Sequence, residues 1–157
     1  MALEFDGTSQ YVDCGNASSL NITGNHTLMA WVKIPASTRY ERILSKKYDN
    51  SPTYKGYFLQ LRDSGVIQAE VMNGSAHLKC GTTVLDDDTW HHLAYTYDTT
   101  MDTTLYVDGS VEPGTTFGTN PGSVGTHSNP VMIGKVIEGG VPRYGKGTIA
   151  DARIYNR

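Results

Sequence analysis

In Thr89-Trp90-His91-His92-Leu93-Ala94-Tyr95-Thr96-Tyr97-Asp98 the side chains divide into two sets with a period of two. His91, Leu93, Tyr95 and Tyr97 share one face of the strand this implies, and Trp90, His92, Ala94 and Thr96 share the other. A second run, Leu105-Tyr106-Val107, ends in Asp108-Gly109. That dipeptide tolerates the positive φ of a tight turn, so a returning strand over 110–112 is expected. No stretch of the chain has a convincing helical period, and the remainder repeats the hairpin theme.

In chain order, strands are expected over 2–5 and 10–13, broken at Asp6-Gly7, and then a polar loop over 16–25. From 27 to 34, Leu28, Ala30, Val32 and Ile34 alternate with Met29, Trp31 and Lys33, and Pro35 stops the strand because it cannot donate to a ladder. Trp31 is expected in the core, since large aromatics supply much of a strand's buried area. A short strand over 42–46 is followed by an expected loop over 47–55. Strands over 57–62 and 66–72 flank Asp63-Ser64-Gly65, and one over 77–84 follows the Asn73-Gly74 turn. Asp86-Asp87-Asp88 reads as solvated charge in a turn. The Gly-, Thr- and Ser-rich segment 113–130 should wrap an edge, 131–134 is a short strand, 138–145 a loop, and 148–155 the closing strand. Short strands spaced about eight to twelve residues apart point to an all-β sandwich or barrel.

The 157 residues can bury a core without needing a disulfide or metal. The net charge of −3 and the scattered Lys and Arg argue against nucleic-acid binding. No apolar run approaches a membrane span, so no membrane insertion is expected, and the N-terminus lacks the pattern of a signal peptide. A domain excised from a larger exported protein is the expectation. Cys14 and Cys80 are compatible with a disulfide if their strands are neighbours, with free buried thiols the simpler reading. Asn16, Asn21, Asn25 and Asn73 each begin a glycosylation acceptor triplet, a match that Asn- and Ser-rich turns also produce by chance.

The hairpin phrase, together with Leu3-Glu4-Phe5-Asp6-Gly7, Tyr11-Val12, Ala30-Trp31-Val32-Lys33 and Ile149-Ala150-Asp151-Ala152-Arg153-Ile154-Tyr155, resembles the laminin-G-like, concanavalin A-like jelly-roll domains. The matching pieces follow the family's order over nearly the whole chain. The resemblance implies an all-β fold of two antiparallel sheets, a jelly-roll β-sandwich in which first and last strands lie close. It also implies a structural calcium ion held by acids near the Phe-Asp-Gly turn and on the last strand. Asp6 and Asp151 match those positions, with Asp13 nearby, while Ala150 stands where relatives often carry another acid.

Hydrolysis of a glycoside needs two facing carboxyl groups, about 5 Å apart for retention and farther for inversion. The Glu-x-Asp-x-x-Glu strand of the family's glucanases is not found here, so no catalysis is expected. His91 and His92 point to opposite faces of a strand and cannot chelate one ion together. One is expected over the core, bonded to backbone, with the other on the second face. Sugar binding needs aromatic faces with polar groups around them. Arg39 and Tyr40, Tyr48, Asn50 and Tyr54, and Arg143 and Tyr144 all fall in expected loops, where tyrosine beside arginine suits a polar ligand such as a glycan or acidic sugar. The sequence thus points to a non-catalytic, lectin-like module for an oligo- or polysaccharide in an extracellular protein. A protein-binding adhesion or assembly domain is the rival reading, with a glycan-degrading enzyme and an inert spacer behind it.

Overall fold

The computed structural model describes residues 1–50 and 53–157, the side chains of 48–50 excepted. Its strands are numbered in chain order. One sheet runs edge to edge as β1 (Ala2–Asp6), β15 (Lys146–Tyr155), β3 (His26–Lys33), β8 (Trp90–Tyr97), β9 (Thr103–Val107) and β10 (Ser110–Glu112). The other runs as β11 (Gly114–Phe117), β7 (Ala76–Val84), β6 (Val66–Asn73), β5 (Thr53–Leu61), β4 (Glu41–Asn50), β12 (Met132–Ile133) and β2 (Val12–Asp13). A ribbon of β13 (Lys135–Glu138) and β14 (Val141–Tyr144) completes the described strands. Neighbouring strands pair antiparallel throughout, β1 on β15 included, so the chain is the two-sheet jelly-roll sandwich that the sequence implies. No described helix is long and apolar enough to cross a membrane.

The inner faces of the two sheets meet in one core. In β3, His26, Leu28, Ala30 and Val32 point inward, and in β8 Leu93, Tyr95 and Tyr97 do so. Opposite them lie Tyr57, Leu59 and Leu61 of β5 and Ile67, Ala69 and Val71 of β6. Burying a side chain the size of Leu contributes about 2 kcal/mol, so this shared interior is what holds the sheets face to face. The hairpin from 90 to 112 forms as read. Leu93 lies opposite Val107, and Asp108 and Gly109 both take positive φ, 50° and 81°. Asp108 also locks the hairpin: its Oδ1 accepts the His92 backbone N–H and its Oδ2 bonds to His91 Nδ1, both at 2.8 Å.

Several local expectations are corrected. Residues 47–50 and 53–55 are not loop, because β4 and β5 stay paired as far as Asn50 opposite Thr53. Residues 138–145 fold as the β13–β14 hairpin, turning through Gly139 and Gly140 at φ 55° and 79°. Trp31 is not core. Its neighbours Ala30 and Val32 are fully buried, so alternation turns the indole outward, 42% exposed, against the His92 ring 5.3 Å away. His91 bonds to the carboxylates of Asp108 and Asp87 rather than to backbone, while His92 does reach the outer face. Asp86 is more than solvated charge, since its Oδ2 accepts the Ser37 backbone N–H at 2.8 Å. Cys14 and Cys80 are free, the first exposed and the second buried, near opposite edges of the seven-stranded sheet.

His26 is the unusual core residue. Nδ1 lies 3.0 Å from the Gly24 carbonyl, which can only accept, so Nδ1 carries the proton and Nε2 accepts from the Tyr95 hydroxyl at 3.0 Å. Rings of Tyr57 and Tyr97 close around it at 5.3 Å. Burial pulls its pKa down to about 4, only partly offset by the Gly24 bond. The unfolded chain, with an ordinary histidine, therefore binds this proton first as pH falls. The stability from keeping His26 neutral is complete above about pH 6.5 and is lost progressively down to about pH 4, amounting to about 3 kcal/mol. In urea titrations between pH 4.5 and 6.5, His26→Gln should show a shallower loss of unfolding free energy with acid than the parent, leaving the share of His127, also held at about 4 by burial.

Candidate functional site

The outer faces of the two sheets differ. On the six-stranded sheet the outer face is open. On the seven-stranded sheet the β13–β14 ribbon lies against β4, and polar outer-face residues such as Arg42, Gln60, Gln68 and Glu70 are buried. The close approach depends on Gly145, where a Cβ would stand 2.4 Å from the Arg42 carbonyl oxygen and 2.6 Å from its nitrogen. Between the ribbon and the segment before β4 opens a cleft of about 510 Å³. Arg42 and Glu138 line it together with Arg39, Tyr40, Arg143 and Tyr144, and Gly7 and Pro142 complete the wall.

Arg42 is held by a chain of polar contacts that crosses the sheet. Its Nη2 donates to Glu138 Oε2 at 3.0 Å, its Nη1 donates to Gln60 Oε1, and Gln60 Nε2 donates to Gln68 Oε1 at 2.9 Å. Glu138 also pairs with Lys47 at 3.3 Å. The Tyr40 ring lies 5.1 Å from the Arg42 guanidinium carbon and 6.0 Å from that of Arg62. Burial lowers the Arg42 pKa, opposed by Glu138 and reinforced by the like charge of Arg143. Arg39 sits at the rim, its side chain half exposed, and reaches the Gly7 carbonyl at 3.3 Å and the buried Glu41 at 3.4 Å. Glu41 is already engaged, accepting the Lys146 backbone N–H and the Ser37 hydroxyl, each at 2.5 Å. On the far wall Tyr144 packs on Tyr11 at 6.2 Å, with the Lys135 ammonium 3.7 Å from the Tyr11 ring centre.

Of the sugar-binding residues expected from sequence, Arg39, Tyr40, Arg143 and Tyr144 come together at this cleft. Tyr48, Asn50 and Tyr54 do not: they lie where β4 and β5 meet, with Tyr54 opposite Asp49. Six residues of strand separate Tyr48 from Arg42, roughly 20 Å at the usual rise. The side chains of Tyr48 and Asn50 lie outside the described residues. Arg42 and Glu138 were missed as site residues. For Arg42 a signal existed, a charged residue in strand phase opposite Ile43, whereas Glu138 was hidden by reading its strand as loop.

The expected calcium ligands do not converge. Asp6 Oδ1 accepts the N–H groups of Thr8, Ser9 and Gln10 at 2.8, 2.9 and 3.1 Å, contacts that hold its pKa well below the usual carboxylate range. Asp6 lies opposite Lys146, five residues of β15 away from Asp151, or about 16 Å. Asp151 occupies the bulge of β15 at φ 50° and pairs with Arg153 at 2.8 Å, and Asp13 stands on the edge strand of the other sheet, accepting the Gly15 N–H. The three carboxylates are thus not gathered at one point, and no group of three His, Cys, Asp or Glu that could hold a metal is found among the described residues.

The chain is thus a two-sheet jelly-roll sandwich with an aromatic and basic cleft beside one sheet. The family profile described as concanavalin A-like lectin/glucanases superfamily matches residues 6–157, and the chain belongs to that family. No curated protein matches it in sequence. Among solved structures it is similar to the CBM40 of the Ruminococcus gnavus IT-sialidase bound to α2,3-sialyllactose, at 15% identity and a TM-score of 0.75 over 100% of this chain and 91% of that one. It is similar also to the mouse laminin α1 chain, domains LG4-5, at 15% identity and a TM-score of 0.76 over 99% of this chain and 42% of that one. A third likeness is to the heptameric SAP-like pentraxin of Limulus polyphemus, at 15% identity and a TM-score of 0.64 over 99% and 75% of the two chains. At these identities the likeness is one of fold.

Replacing Gly145 by Ala should force the ribbon away from Arg42. Overpacking of this kind costs about 1–3 kcal/mol, read as a lowered urea midpoint with an unchanged denaturant slope.

Proposed function

We propose that the chain is a non-catalytic carbohydrate-binding module of a larger extracellular protein, seating an oligo- or polysaccharide in the cleft beside β14. The observation that carries this reading is the pairing of two half-buried tyrosine faces, Tyr40 and Tyr144, with fixed polar groups around one open cleft. Aromatic faces stack on the C–H faces of sugar rings while neighbouring donors take their hydroxyls. The fold shared with a sialyllactose-bound module supports the reading. So does the lining, in which Glu138 is the one carboxylate and is held by Arg42 and Lys47, whereas glycoside hydrolysis needs two facing acids.

A glycan array tests it. The parent should bind selectively, Tyr144→Ala should lose about tenfold or more in affinity, and Tyr54→Ala, at the far end of β4–β5, should bind as the parent does. The reverse result would move the site to that far end, and a blank array with the fold intact would reject the reading.

The second reading, a protein-binding adhesion domain, is favoured by one observation. On the open outer face Trp31 and Trp90, 42% and 43% exposed, border a hollow of about 580 Å³ with Ala2 and Ala150. A protein partner lost on Trp31→Ala in cross-linking, with the array blank, would support it.

A further inference from the structure

The cleft holds an imbalance of charge that the protein resolves only in part, through Glu138 and the contact of Arg39 with Glu41. Three guanidinium groups, Arg39, Arg42 and Arg143, line it against the single carboxylate of Glu138, although the chain as a whole carries a net charge of −3. Glu138 is consumed by Arg42 and Lys47. Arg42 is 7% exposed and its Nε is buried without a hydrogen-bond partner, so it is a fixed positive floor rather than a mobile surface charge. Arg143 is exposed on β14 and makes no ion pair among the described residues. Arg39 is half exposed, with only long contacts to Gly7 and Glu41. Like charges facing one cleft repel, and an anion placed among them turns that repulsion into attraction in a wall that focuses the field. Burial is the main cause that lowers the Arg42 pKa, and the like charge of Arg143 acts in the same direction against Glu138, Tyr40 and Glu41.

Resting on the reading of the cleft as a sugar site, we propose that it selects acidic saccharides. A carboxylate on the sugar ring, of sialic or uronic acid type, is taken by Arg39 and Arg143 over the Arg42 floor, while Tyr40 and Tyr144 take the ring. A guanidinium presents two parallel N–H donors that match the two oxygens of a carboxylate, and such charge-assisted bonds are about twice as strong as neutral ones. Both rim arginines have donors left for such a bond, and their partial exposure lets a ligand approach without first stripping a buried ion.

The test is calorimetric titration of the intact chain with four probes: lactose, 3′-sialyllactose, a hyaluronan tetrasaccharide and a sulfated lactose. One or both carboxylated probes should bind at least about tenfold tighter than lactose, and the difference should shrink as salt is raised. The sialylated and uronic probes separate the two sources of the carboxylate. Arg143→Gln should remove most of the preference, Arg143→Lys should restore only part of it, and Arg153→Gln, which deletes an exposed charge on the other sheet, should leave it unchanged. Equal affinity for lactose and the carboxylated probes, or a preference for the sulfated sugar over both, would overturn the acid selectivity while leaving the sugar site standing. Loss of the preference in Arg153→Gln equal to that in Arg143→Gln would also overturn it. No binding of any probe by a folded chain would overturn both the selectivity and the site.

Discussion

Side chains that alternate across a strand oblige each strand to bury one face, and here the two sheets satisfy that obligation against each other. Leu28, Ala30 and Val32 of one sheet and Leu59, Leu61 and Val71 of the other are buried in one cluster. Because the inner positions are committed to that interior, every polar or aromatic residue in the opposite phase must face outward. Trp31 shows the force of this: its size favours burial, yet its phase between Ala30 and Val32 leaves it on the surface. His26 shows the converse, a polar ring drawn inside by its phase and tolerated because Gly24 and Tyr95 satisfy both of its nitrogens.

The site follows from what covers the outer faces. One sheet leaves its outer face to solvent, and the other receives the β13–β14 ribbon across β4. A covered face cannot leave a charge alone, since an unpaired buried ion costs far more than a paired one. Arg42 is accordingly tied to Glu138 on the ribbon and to Gln60 within the sheet, and Gln60 to Gln68 beyond it. These contacts hold the guanidinium in one place, and for a ligand of the proposed kind such preorganisation would lower the entropic cost of binding. The same ribbon carries Arg143 and Tyr144 to the opposite wall, so one tertiary contact creates both the floor and the rim of the cleft.

Much of the fold was legible. The period of two, the Asp108-Gly109 turn and the Asp63-Ser64-Gly65 turn all report local backbone requirements, and local requirements are written in adjacent residues. What failed to read were segments whose strands exist only because a partner strand is present. Residues 47–50 look like loop until β5 lies beside them, and 138–145 look like loop until Gly139 and Gly140 turn the chain so that 141–144 pair with 135–138. Of the expected binding residues, four share a cleft and three lie at the far end of a hairpin, because a tyrosine among polar residues looks the same at either end of a strand.

The sequence by itself determined the all-β class, the hairpin order, the family and the chemical character of the side chains that line the cleft, because strand period, turn residues and side-chain type are properties of neighbours in the chain. The tertiary structure alone decided that Arg39, Arg42 and Arg143 meet, that Glu138 is spent on Arg42 and Lys47, and that Asp6, Asp13 and Asp151 stay apart. Such convergence depends on the register and layering of strands distant in sequence, and each is set by the packing of the whole interior rather than by any one segment.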